Sequence, residues 1–218
     1  MKLIQVLVLS LFSLGLSAQQ SGFFSGGRFM MGSSELKEHP FNNGDVNTKL
    51  LFGAGFNANY FFTEAVGVGT DVMLNFSGAK VNGQEDGAGG GIFGGSSGEK
   101  YTDKYNFIRL ELPFLGKLSI PFGDFAFVAF AGPSFDFNLA GNVTREYNDG
   151  DSKSTDIDNM ETITTSFKAG GGVQIANANG KVFMLDARIS QDLSPFYTND
   201  NNKDFKIGYF AFSIGVGF

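Results

Sequence analysis

Few side chains in this 218-residue chain have types suited to chemistry, and their spacing argues against most of it. There is no cysteine and only one histidine, His39, set beside Pro40 in a polar stretch. Thiolate chemistry is excluded, and a transition-metal site has too few soft or imidazole ligands to form. His39 could serve as the base of a lipid-modifying hydrolase, but no acid or nucleophile stands at a spacing that would position it. Gly89-Gly90-Gly91-Ile92-Phe93-Gly94 fits the G-x-G-x-x-G pattern of a phosphate-binding turn. Such a turn needs a buried strand before it and a helix after it, and neither is patterned here. The tract reads as a mobile loop. A third candidate is the acidic run Glu146, Asp149, Asp151, Asp156, Asp158 and Glu161. Carboxylates at this density could hold Ca²⁺ or Mg²⁺ weakly, though the spacing is not that of an EF-hand. The expectation is a non-enzymatic protein with no cofactor, no catalytic residues and no dedicated metal site.

A different set of charged residues is more informative, because it recurs in phase with hydrophobic alternation. Period-2 alternation appears over residues 22–33, 49–62, 66–78, 104–119, 125–139, 163–176, 181–194 and 205–218. In the stretch 125–139, Phe125, Phe127, Ala129, Ala131, Phe135, Phe137 and Leu139 share one face. The other face is small or polar, apart from Phe130. A strand alternates sides strictly, so each segment has one greasy face and one polar face. On the polar faces fall Arg28, Asp71, Arg109, Glu111, Lys117, Asp136, Lys168, Asp186, Arg188 and Asp192, five of each sign. That balance suits an enclosed interior where charges must pair. A soluble barrel of the lipocalin type would put the greasy faces inside and leave these charges on a surface that demands no balance.

The connections sort the same way. Thr63-Glu64-Ala65, Pro121-Phe122-Gly123-Asp124 and Asn177-Ala178-Asn179-Gly180 are tight turns, while 34–48, 79–103, 140–162 and 195–204 read as long polar loops. Short and long connections alternate, which puts all long loops at one end of an up-and-down sheet. The expected fold is therefore all-β: an eight-stranded antiparallel up-and-down transmembrane β-barrel with a plugged polar lumen. Strands of about 12 to 16 residues exceed the roughly 9–11 needed to cross a bilayer and should project beyond it on the long-loop side.

The N-terminus fits export to that membrane. Lys2, the apolar stretch Leu3–Leu16 and Ser17-Ala18-Gln19 form a signal-peptide pattern over residues 1–18, with residues 19–218 as the barrel domain. The expected location is the bacterial outer membrane, with termini periplasmic and long loops extracellular. Those loops hold 15 of the chain's 22 acidic side chains but 6 of its 16 basic ones, so the acidic exterior disfavours nucleic acid. Expected partners are outer-membrane lipid, the barrel assembly machinery, and a secretion-system or extracellular partner. Passive passage of small hydrophobic molecules is an alternative role.

The stretch "YNFIRLELPFLGKLSIPFGDFAFVAFAGPSFDF" resembles the PorT-like outer-membrane β-barrel family of Bacteroidetes. The resemblance is carried by Leu110, Glu111, Leu112 and Pro113, by Lys117, and by Ala131, Gly132 and Pro133, with Leu112 where the family usually has Ile. "DARISQDLSPFY" is similar to the family's penultimate strand, with Arg188 at the basic position. The resemblance implies an eight-stranded barrel without catalytic residues. Its name-giving member works in a secretion and gliding apparatus, which makes an accessory secretion role the alternative function.

The last segment, "YFAFSIGVGF", places Phe210, Phe212, Ile214, Val216 and Phe218 toward lipid and resembles the C-terminal assembly signal of outer-membrane barrels, with Phe218 its key residue. Loss of one rim Phe side chain costs about 1.5–3 kcal/mol of burial at most. Phe218→Ala is expected to lower the amount of protein reaching the outer membrane in cells. Protein refolded in detergent should keep its heat resistance on gels. Unchanged abundance in the membrane would remove the signal role.

Overall fold

In the computed structural model the described residues are 22–38, 45–84, 100–148, 150–157, 160–177, 180–198 and 204–218. They form β1 (Gly22–Glu38), β2 (Asp45–Phe61), β3 (Val66–Gln84), β4 (Lys100–Pro113), β5 (Leu115–Phe122), β6 (Phe125–Tyr147), β7 (Ser152–Asp156), β8 (Ile163–Ala176), β9 (Val182–Asp192), β10 (Tyr197–Thr198) and β11 (Asp204–Gly217). Every pairing is antiparallel, and β11 returns to pair with β1, so the sheet closes. β4 and β5 are one stave interrupted at Phe114, whose N–H donates to the Pro133 carbonyl. The ring therefore has eight staves, as the alternation predicts. The signal-peptide pattern lies outside the described residues.

Closure follows from strand chemistry. Gly26 lies opposite Gly217 at the β1–β11 seam, and Phe218 and Ser25 exchange two backbone hydrogen bonds of 2.9 and 3.2 Å. Among the described residues the ring of staves closes without a free edge strand, as a lipid-facing sheet requires. At one end the staves join by short turns. In one, Thr63 Oγ1 accepts from the Ala65 and Val66 amides. In another, Gly123 takes the left-handed conformation, φ 65°, between the paired Phe122 and Phe125.

The outer face carries the greasy rows. Phe23, Phe56, Ile120, Phe212, Ile214 and Phe218 are among the large apolar side chains left open to the surroundings, while the intervening residues are buried. Phe130 breaks the inward pattern of β6 for a reason: Lys117 and Arg188 lie over its ring, 5.7 and 5.3 Å from the centroid.

The long-loop end differs from the expectation of irregular loops. β1 runs to Glu38, β3 to Gln84 and β6 to Tyr147, and β7 adds a hairpin to β6. Three β-bulges lie toward the long-loop end: Lys37 of β1 is extra between the Leu36–Ile207 and Glu38–Lys206 pairs, and two more lie where the staves leave the apolar band. Residues 49–51 of β2 are unpaired opposite Ser77 and Gly78 of β3, and Leu139 of β6 is extra between the Ile108–Ala140 and Arg109–Asn138 pairs. Each bulge shifts the alternation by one residue.

The seam offers a clean test. A Cβ on Gly26 would sit 1.8 Å from the Val216 carbonyl oxygen, whereas one on the outward Gly27 would meet nothing within 4 Å. Gly26→Ala should destabilise the folded barrel by about 1–3 kcal/mol, read as a lower unfolding midpoint in urea. Gly27→Ala should leave the midpoint nearly unchanged.

Candidate functional site

The interior is filled in three layers, and the central one contains the ten charged residues read from the alternation. All ten are buried. Arg28 of β1 reaches past β11 to Asp186 of β9, and its Nη1 also donates to Ser213 Oγ at 3.0 Å. Arg188 binds the same Asp186 at 3.0 Å and crosses to Asp71 of β3 at 3.1 Å. Arg28 stands 3.7 Å from Asp71, so two guanidinium groups and two carboxylates alternate in one cluster. Lys117 donates to Asn59 Oδ1 beneath it.

A second cluster lies toward the long-loop end. Glu111 and Asp136 are direct cross-strand neighbours on β4 and β6, a like-charge pair that would repel if left alone. Lys168, one stave further on in β8, reaches both: 2.8 Å to Glu111 and 3.6 Å to Asp136. Tyr209 donates its hydroxyl to Glu111 at 2.9 Å, and Ser134 donates to Asp136. Arg109 binds both oxygens of Asp192 at 3.1 Å, and Asp192 also accepts the Ile207 amide at 2.9 Å. Alternation alone would pair Arg109 and Glu111 with charges from neighbouring strands, such as Asp71 or Asp136; their partners are instead Asp192 and Lys168. In so narrow a barrel the long side chains reach past the adjacent stave, and Glu111 faces another acid across its own.

Apolar layers close the charges in on both sides. Phe24, Phe61 and Met184 pack at the turn end, with the two rings stacked at 6.1 Å. At the long-loop end Leu36, Val81, Tyr105, Phe107, Val143, Phe196, Phe205 and Ile207 form a larger cluster. Arg109 lies against it, its guanidinium 5.2 Å from the Phe196 ring centroid. Above that cluster Arg145 and Asp103 make a two-pronged pair, 2.7 and 2.8 Å, with Arg145 stacked 3.7 Å over Tyr101. These residues fall in segments expected to be loops. Their signal was nonetheless present: the inward alternation of Glu111, Arg109 and Phe107 continues through Tyr105 and Asp103.

No catalytic arrangement emerges among the described residues, and no group of three or more His, Asp or Glu side chains there could hold a metal. His39, the Gly89–Gly94 tract, Asp149 and Asp158 lie outside the described residues. Phe218 lies at the turn end, 73% exposed, on the outward row.

A closed antiparallel barrel that is apolar outside and charge-paired inside is a membrane-spanning β-barrel of the bacterial outer membrane. The chain belongs to the family described as outer membrane protein beta-barrel domain, whose model matches residues 13–198. Among solved structures it is similar to the attachment invasion locus protein Ail of Yersinia pestis: 17% identity, 91% of this chain and 100% of that one, TM-score 0.41. It is also similar to the outer membrane protein OprG of Pseudomonas aeruginosa, at 15% identity, 92% and 96% coverage and TM-score 0.49. Neisserial surface protein A matches at 8% identity, 91% and 98% coverage and TM-score 0.43. None of the curated proteins matches.

The central layer predicts an asymmetry between single and paired substitutions. Lys168→Met strands Glu111 and Asp136 together and should cost about 3–5 kcal/mol. Adding Glu111→Gln to Lys168→Met should recover a large part of that loss. Urea unfolding of the two variants in the same detergent checks it.

Proposed function

We propose that this chain is a non-enzymatic outer-membrane barrel with a sealed lumen. It strengthens the membrane and presents its long-loop end for interactions outside the cell. In this reading the termini are periplasmic and the long loops extracellular. The observation that carries it is the interior packing. Paired charges occupy the centre, and an apolar cluster from Leu36 to Ile207 caps them, leaving function to the outer wall and the loops. The acidity of the long connections favours a cationic or cation-bridged partner there.

The resemblance to the PorT-like group supports a narrower version, in which the partner at the long-loop end is part of a secretion apparatus. It rests on the Leu110–Pro113 and Ala131–Pro133 motifs, with Lys117 and the Arg188 segment.

Purified protein in planar bilayers is expected to give little or no steady conductance, with at most brief small openings. Large stable channels of the porin kind would reject the sealed lumen.

A further inference from the structure

The β2 and β6 bulges flank the β3–β4 hairpin at one height and shape a groove of about 260 Å³ in the outer wall. On the β2 side the bulge brings Lys49 beside the exposed Leu50, next to the wall. On the β6 side Ala140, Gly141 and Asn142 form the opposite lip. The floor is apolar, made by Phe52, Phe76 and Ile108, with the two phenylalanine rings stacked at 5.0 Å. The upper wall is polar. Lys49 Nζ donates to Asn106 Oδ1 and, at 3.3 Å, to the Tyr105 carbonyl, and Asn106 Nδ2 donates to Asn142 Oδ1 at 2.7 Å.

Directly above, Lys80 and Lys104 are cross-strand partners on the outer face. Like charges placed opposite one another destabilise a sheet unless something negative lies between or beside them. Glu146 meets Lys104 at 2.5 Å, and Asp156 stands across from Asn142 on the far lip, which leaves Lys49 and Lys80 as the cations on the near side of the groove mouth. The groove thus sets ammonium groups over an apolar trough, where the lipid-facing rows give way to polar ones. That is the height at which a lipid headgroup meets its acyl chains.

We propose that this groove binds an acyl-anchored phosphate monoester, a lipid whose anionic headgroup docks on Lys49 and Lys80 and whose chain lies over Phe52, Phe76 and Ile108. The reading requires only that the barrel spans a bilayer. It is independent of which end faces outward and of whether the lumen conducts. The lysines supply charge, the Asn106 and Asn142 amides supply donors, and the trough supplies selectivity for an anchored ligand over a free one.

The test is native mass spectrometry of the detergent-purified full chain titrated with phosphatidic acid. Diacylglycerol, phosphatidylcholine and inorganic phosphate are run as separate arms. Saturable binding of phosphatidic acid is expected, with at least tenfold weaker binding of the other three. Lys49→Gln with Lys80→Gln should weaken phosphatidic acid binding about tenfold. Lys37→Gln, which removes an exposed lysine of β1 away from the groove, should not. If the double variant does not fold, Lys80→Glu alone tests the same contact at an exposed position and should also lower affinity. Equal loss in Lys37→Gln would reduce the effect to overall charge and overturn the site. Equal binding of inorganic phosphate would overturn the lipid as occupant. No saturable binding to the wild-type protein would overturn the proposal outright.

Discussion

A peptide backbone in hydrocarbon has no water to satisfy its amides and carbonyls, and everything in this barrel depends on meeting that constraint within the wall. The β1–β11 seam answers it by completing the ring. The closing register requires close strand contact, which is why glycine stands at Gly26 and Gly217. With the wall complete, side chains are free to divide: bulk and apolarity outside, charge inside. The tight turns then need only to link adjacent staves, and the long connections are relieved of any role in closure.

Closing an eight-stave ring creates a narrow interior of low polarity, and that sets the second requirement. Charges placed there must be neutralised at short range. The clusters do this by reaching over a stave: Arg28 to Asp186, Arg188 to Asp71, and Lys168 to Glu111, while the same Lys168 also holds Asp136 of the adjacent β6. Each of the three long pairs ties staves that are not hydrogen-bonded to one another. The network therefore braces the cross-section of the barrel as well as balancing it. The apolar clusters on either side keep water from competing for these bonds.

Most of this was legible in the sequence because strand periodicity is a strict rule. The eight segments, their lipid-facing rows and the ten inward charges all follow from reading every second residue. The ion-pair partners did not follow, because alternation reports the side of a sheet and says nothing of which stave a long side chain will reach. The apolar cap was missed for another reason. Leu36, Val81, Val143 and Phe196 sit among Asn, Gly and acidic residues, which read as loops by composition. The bulges at 49–51 and Leu139 reset the phase, so a pattern followed through them points to the wrong face. Single inward aromatics such as Phe130 look like errors until the cations above them are placed.

The extension of β6 has a mechanical corollary. From Leu139 to Tyr147 the stave continues for eight residues, each advancing roughly 3.4 Å, and the β7 hairpin and the Arg145–Asp103 clasp hold it straight. With a strand tilt near 45° the tip would stand on the order of 20 Å clear of the apolar band. The connection beyond Tyr147 is thus mounted on a rigid post. Its sequence could drift or be exchanged without disturbing the membrane-embedded ring, which makes this corner of the molecule a natural place for variation under selection and a practical one for displaying a grafted epitope.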